Sequence, residues 1–151
     1  MPPKRTRRPA PPSVEPAPTA TPRPTALVLR TCKADLTSYQ GFQWPESGPV
    51  EAPDWNSQSV CGWGLHGLRG GEGDWNLLDW SLDAKALLVR VAVDDLVVVD
   101  RKVKFPRGEV VEVGSLPRLL CALLCDPTLI RGNVDAQLAA SGDASHLAAS
   151  G

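Results

Sequence analysis

Ala86-Leu-Leu-Val-Arg-Val-Ala-Val93 carries the clearest structural signal in this chain. Leu87, Val89, Val91 and Val93 fall on one side of an extended chain and Leu88, Arg90 and Ala92 on the other. A period of two with β-branched residues predicts a strand with one well-buried face. Asp94-Asp95 turns the chain into Leu96-Val-Val-Val99, followed by Val103-Lys-Phe105 and Glu109-Val-Val-Glu-Val113. Strands this short and close are joined by tight turns, so neighbours in sequence are expected to pair antiparallel. Upstream, Thr25-Ala-Leu-Val-Leu-Arg-Thr31 predicts the first strand. Downstream, Ser115 is placed to cap a helix over 116–125, with Pro117 tolerated in its first turn. Leu116, Leu119, Leu120, Leu123 and Leu124 form the stripe that packs it on the sheet. Asp126-Pro127 ends it. The fold class is α+β, a small, mostly antiparallel sheet with one C-terminal helix.

Around this unit the composition changes. Residues 1–26 hold nine of the fifteen prolines and five basic residues against Glu15, a net +4 within a chain of net −1. Residues 1–25 form a disordered, Pro-rich basic tail by composition, 26–126 the globular domain, and 127–151 a linker and the start of a repeat. In that last segment Leu138-Ala-Ala-Ser-Gly142 recurs as Leu147-Ala-Ala-Ser-Gly151, a period of nine that suits a tight β-solenoid coil. Such an ending suggests a truncated chain or a longer parent array. All five tryptophans lie within residues 44–80, a region poor in aliphatic residues, and are expected to supply core, with a stacking platform as the alternative. The four cysteines are too irregular for a disulfide framework and are expected to be reduced and mostly buried, with Cys121 and Cys125 packing the helix.

The run Cys61-Gly-Trp-Gly-Leu-His-Gly-Leu-Arg-Gly-Gly-Glu-Gly73 contains G-x-G-x-x-G. A dinucleotide cradle needs a buried strand before it and a helix after it. Asn56–Cys61 is not such a strand, and Gly70, Gly71 and Gly73 break a helix. A P-loop fails for want of Gly-Lys-Ser/Thr. Cys61 and His66 are possible zinc ligands, but Cys32, Cys121, Cys125 and His146 make no second close pair. A Cys61–His66 nucleophile would need Asp54 or Asp74 as orienting group. Gly62, Gly64 and Gly67 read best as permitting positive φ or close backbone approach.

Several segments resemble an uncharacterised bacterial and phage-associated domain: Leu27-Val-Leu-Arg-Thr-Cys32, Gly41-Phe-Gln-Trp-Pro45, Ala52-Pro-Asp-Trp55, Cys61-Gly-x-Gly-Leu-His-Gly-Leu68 and Lys102-Val-Lys-Phe-Pro-Arg-Gly108. The resemblance covers roughly residues 26–115 and implies an architecture, a phage or prophage setting and a following array of small-residue repeats. A more distant likeness is to the ADP-ribosyltransferase fold. It implies NAD as cofactor and Arg30, His66 and Glu109 or Glu112 as site residues. Gly67-Leu68-Arg69-Gly70 departs from that family's aromatic-Thr/Ser pattern, and the opening strand lacks its His/Tyr-Gly-Thr.

The resulting expectation is a non-catalytic interaction or capping module of a phage-type protein, needing no cofactor or metal, with an NAD-binding transferase as alternative. Its partner would be another protein or its own repeats, with weak nucleic-acid contact through Lys4, Arg5, Arg7 and Arg8. The missing apolar signal segment and the absence of a membrane span predict a cytoplasmic location.

Overall fold

The structure, a computed structural model, describes residues 23–125. The basic cluster, most of the Pro-rich tail, the helix-ending Asp126-Pro127, His146 and the nine-residue repeats lie outside the described residues. Seven strands and one helix come in the order β1 Thr25–Cys32, β2 Gly48–Glu51, β3 Leu65–Arg69, β4 Lys85–Ala92, β5 Val97–Val99, β6 Lys102–Phe105, β7 Arg107–Gly114 and α1 Leu116–Leu124. They form one sheet in the order β2-β7-β4-β1-β3-β6-β5, with every pairing antiparallel. The α+β expectation holds.

The sheet is organised by β1 and β4, which pair along eight residues from Thr25↔Ala92 to Cys32↔Lys85. Their alternating side chains divide between two cores. Val28, Cys32, Leu87, Val89 and Val91 enter one, closed by Leu36, Trp44 and Ala52 from the loops. Leu29, Ala86 and Leu88 enter the other, closed by Leu116, Leu119, Leu120 and Ala122 of α1. Residues 86–93 therefore do not leave one face open. Leu87, Leu88 and Val89 are all fully buried, each contributing about 1.5–3 kcal/mol of transfer free energy.

Three further expectations are corrected. Among the late strands only β5 and β6 pair as sequence neighbours, because a 3-10 turn over Val93–Asp95 carries the chain away from β4 and β7 returns to β4. The tryptophans divide: Trp44 is 1% exposed within the first core and Trp55 packs against it, but Trp63 and Trp80 are 53% exposed and Trp75 also faces solvent. Aliphatic residues fill most of the interior. Of the free cysteines only Cys32 is buried, and Cys121 and Cys125 lie on the outer side of α1. In α1 itself Ser115 stands at the N-cap without a side-chain hydrogen bond, and Leu124 is exposed.

The edges are short. β2 has four residues including Pro49, and β5 has three. In the interior, Gly67 lies so near β1 that a Cβ there would overlap Val28 Cγ1 and come 2.6 Å from the Leu29 carbonyl oxygen. We expect Gly67→Ala to destabilise the domain by about 1–3 kcal/mol, since overpacking against backbone has no side chain to yield. Urea unfolding followed by circular dichroism measures it, and an unchanged midpoint would contradict this packing.

Candidate functional site: a cleft between the ends of two strands

The ladder between β1 and β3 is brief. It joins Val28↔Arg69 and Leu29↔Leu68 and makes no further register pair. Beyond it a side chain spans the strands: Arg30 Nη1 donates to the His66 carbonyl at 2.9 Å. Between the parted ends opens a cleft of about 910 Å³, walled by residues 29–33 at the end of β1 and just beyond it, 62–68 around β3, the loop 37–44 and the segment 76–81. This lies within the roughly 300–1,000 Å³ usual for small-molecule sites.

The loop 33–47 is braced by backbone hydrogen bonds between Lys33 and Thr37, Ser38 and Phe42, and Leu36 and Trp44. It delivers the Trp44 indole to Arg30, whose Cζ lies 5.0 Å from the ring centroid. Phe42 meets Trp44 edge to face at 5.3 Å. Tyr39, Trp63, Leu77 and Trp80, all exposed, stand around the opening.

On the opposite wall the glycine run does what its composition allows. Gly62, Trp63 and Gly64 have φ of +92°, +48° and +109°. Gly67 differs: it has no positive φ, and its value is the close approach to β1. The turn is pinned by Asp54 Oδ1, which accepts from the Gly64 N–H at 3.0 Å. A second pin is the fully buried Lys104, whose Nζ donates to the Val60 carbonyl at 3.1 Å and lies 5.5 Å from the Trp55 ring. Gly64 is needed here because a Cβ would meet the Trp55 ring at 2.8 Å.

Electrostatically the cleft is positive around His66. Burial first, then the charges of Lys102, Arg30 and Lys104, lower the imidazole pKa to about 4, with Asp54 opposing. Burial also lowers the Arg30 pKa and pushes the Cys32 thiol up to about 11, so Cys32 is a poor nucleophile. Arg30 Nε, Trp44 Nε1 and His66 Nε2 are buried without a hydrogen-bond partner among the described residues.

The sequence candidates therefore separate. Arg30 and His66 meet in the cleft. Glu109 and Glu112 do not line it: both lie on β7, where Glu109 pairs with Arg90 at 3.2 Å and Glu112 with Arg118. Asp74 caps the 3-10 turn over Trp75–Leu77 and takes no part. Cys61 is exposed, and its Sγ accepts from Lys102 Nζ at 3.2 Å. No three His, Cys, Asp or Glu side chains gather as a metal-ligand set among the described residues. Sequence reasoning offered Trp44 only collectively, as one of five tryptophans in an alternative stacking platform; its place beside Arg30 went unread, because nothing in their spacing announces that a loop brings the two together.

Comparison with known proteins supplies the setting. Residues 26–122 match the model of a domain of unknown function, DUF7666. The chain is 40% identical over 107 residues to an ice nucleation protein of Pseudomonas syringae, covering 68% of this chain and 9% of the relative. It is 40% identical over 91 residues to one of Pseudomonas fluorescens, covering 59% and 8%. To the ice nucleation protein InaA of Pantoea ananas it is 36% identical over 91 residues, covering 59% and 7%. The chain thus spans less than a tenth of the length of these curated relatives. No solved structure matches it.

These relatives correct the expected setting. They are ice nucleation proteins of bacteria, which overturns both the phage-type capping module and the ADP-ribosyltransferase reading. The cytoplasmic expectation is corrected with them: it rested on a missing signal segment and a missing span, whereas the relatives are bacterial ice nucleation proteins, a setting it did not foresee. Among the described residues no helix is long and apolar enough to cross a membrane.

The environment of His66 is open to a direct test. Its folded-state pKa of about 4 lies below the ordinary 6.5, so between these values the unfolded chain binds the extra proton. Stability from this group is present above pH 6.5 and is lost as the pH falls towards 4. We expect His66→Gln to flatten that part of the stability profile, measured by urea unfolding at a series of pH values. An identical profile in parent and variant would contradict the burial of the imidazole.

Proposed function

The chain belongs to the DUF7666 family, and from that premise we propose that it serves an ice-nucleation-type protein as a folded ligand-holding domain rather than as the ice-templating surface. The observation that carries this reading is the 40% identity over 107 residues to an ice nucleation protein. Division of labour follows from geometry. A surface that templates ice must present regularly spaced groups over an area comparable with the critical ice embryo. Both faces of this sheet are covered, one by loops and one by α1, so neither is offered to water as a flat lattice. The fold instead presents a concave, aromatic-rimmed cleft with polar groups in its walls, the form of a binding site.

Two measurements test the reading. In droplet-freezing assays the purified chain alone is expected to freeze with its buffer; a raised freezing temperature would make it a template in its own right. In the Pseudomonas syringae relative, residues 26–122 of this chain are expected to replace the matching segment. The exchanged protein should keep both its freezing temperature and its association with cells, whereas deletion of the segment alters at least one. A deletion without effect, or an exchange that behaves like the deletion, overturns the proposal.

A further inference from the structure

We infer that the cleft between the ends of β1 and β3 binds a small, flat-ringed molecule carrying an oxyanion, either a phosphate ester or a carboxylate, with Arg30 and Trp44 as its donors. The first ground is an uncompensated charge. Arg30 is a partly buried guanidinium, and among the described residues the ion pairs engage Arg90 and Arg118, while no carboxylate stands within ion-pair distance of Arg30. Its charge is met by one carbonyl oxygen and by the face of Trp44. Removing a cation from water is costly unless an opposite charge or full hydrogen bonding compensates.

The second ground is the inventory of donors. Arg30 Nε–H and Trp44 Nε1–H can only donate, and both are buried without an acceptor among the described residues. A buried polar group left unpaired is costly, so two donors from different segments in one wall call for an acceptor. Both residues line the cleft, yet the two nitrogens are shielded from bulk water. Entry therefore requires the loop 33–47 and the end of β1 to part slightly, and the acceptor then replaces the missing bonds. His66 Nε2, equally unpaired, adds either a donor or an acceptor according to tautomer.

The third ground is the rim. Tyr39, Trp63 and Trp80 are large rings exposed at the opening of a site whose polar groups lie deeper. Such rings favour a ligand with a flat body, held by stacking, while its anionic oxygens reach inward. Phosphate and carboxylate share the chemistry that Arg30 recognises, since both accept paired N–H donors.

The test uses the full chain and phenyl phosphate, benzoate, inorganic phosphate and neutral benzyl alcohol, each titrated at millimolar concentrations by calorimetry and by ¹⁵N NMR. Phenyl phosphate, benzoate or both are expected to bind and to shift the Trp44 indole and Arg30 Nε signals. The preferred member of that pair identifies the oxyanion. Inorganic phosphate, lacking a ring, and benzyl alcohol, lacking a charge, should bind more weakly. An anion beside His66 should also raise its pKa from about 4. Trp44→Phe keeps a ring and removes the N–H, and should weaken binding roughly tenfold, the loss of one hydrogen bond to a charged group. Arg30→Lys, which keeps the charge but not the Nε donor, should weaken it similarly, and circular dichroism checks that both variants fold. Failure of both anionic probes to bind the folded chain, binding of benzyl alcohol as tight as theirs, or unchanged affinity in both variants overturns the inference. It rests on the reading of the cleft as a ligand-holding site and names that ligand's chemistry, while the freezing assays test the setting in an ice-nucleation-type protein, so the two can fail independently.

Discussion

Two strands that begin to pair and then stop set the character of this molecule. β1 is committed to β4 along its whole length, and that ladder, buried on both sides, fixes its course. β3 joins β1 for only two residue pairs before the ladder ends. Gly67 allows the closest contact at the point of parting, because only a residue without a side chain fits against Val28 and the Leu29 carbonyl. The opening between the strand ends, the reach of Arg30 across it and the two loops that wall it all depend on that parting.

The interior of the opening is organised by charge rather than by volume. Arg30 and the buried Lys104 are both held by backbone carbonyls and aromatic faces, and among the described residues neither joins a carboxylate in an ion pair. Carbonyl dipoles and ring quadrupoles steady a cation without cancelling its field. The field is felt at His66, where three neighbouring cations outweigh Asp54 and reinforce desolvation in keeping the imidazole neutral. The two carboxylates of β7 are occupied locally: Glu109 with Arg90 across β7 and β4, Glu112 with Arg118 at the start of α1.

The parts of the fold written in local pattern were legible in the sequence. The alternation in residues 86–93, the valine clusters after it and the leucine stripe beyond Ser115 give β4 to β7 and α1 nearly in place. Pairing was less legible, since β7 returns to β4 past two intervening strands and no local signal carries that information. Indole size correctly suggested core for Trp44 but misled for Trp63, Trp75 and Trp80, since valines and leucines of β1 and β4 had already filled most of the space. At the cleft, Arg30 and His66 drew attention through a resemblance whose functional implication did not hold, while Trp44 stood only among five tryptophans of an alternative stacking platform, with no link to Arg30. Its part there depends on the path of a loop, and a loop's path is set by long-range packing rather than by period or propensity.

The strands that finish the sheet have a consequence for life at high density. β2 is four residues long and carries Pro49, which has no N–H to give, and β5 is only three residues long. Borders this short give a neighbouring copy little to extend, and a proline removes one of the few donors left. Many such domains can be crowded side by side without their sheets merging into a fibre. That tolerance is a property of the two borders themselves and holds whatever sequence flanks the domain.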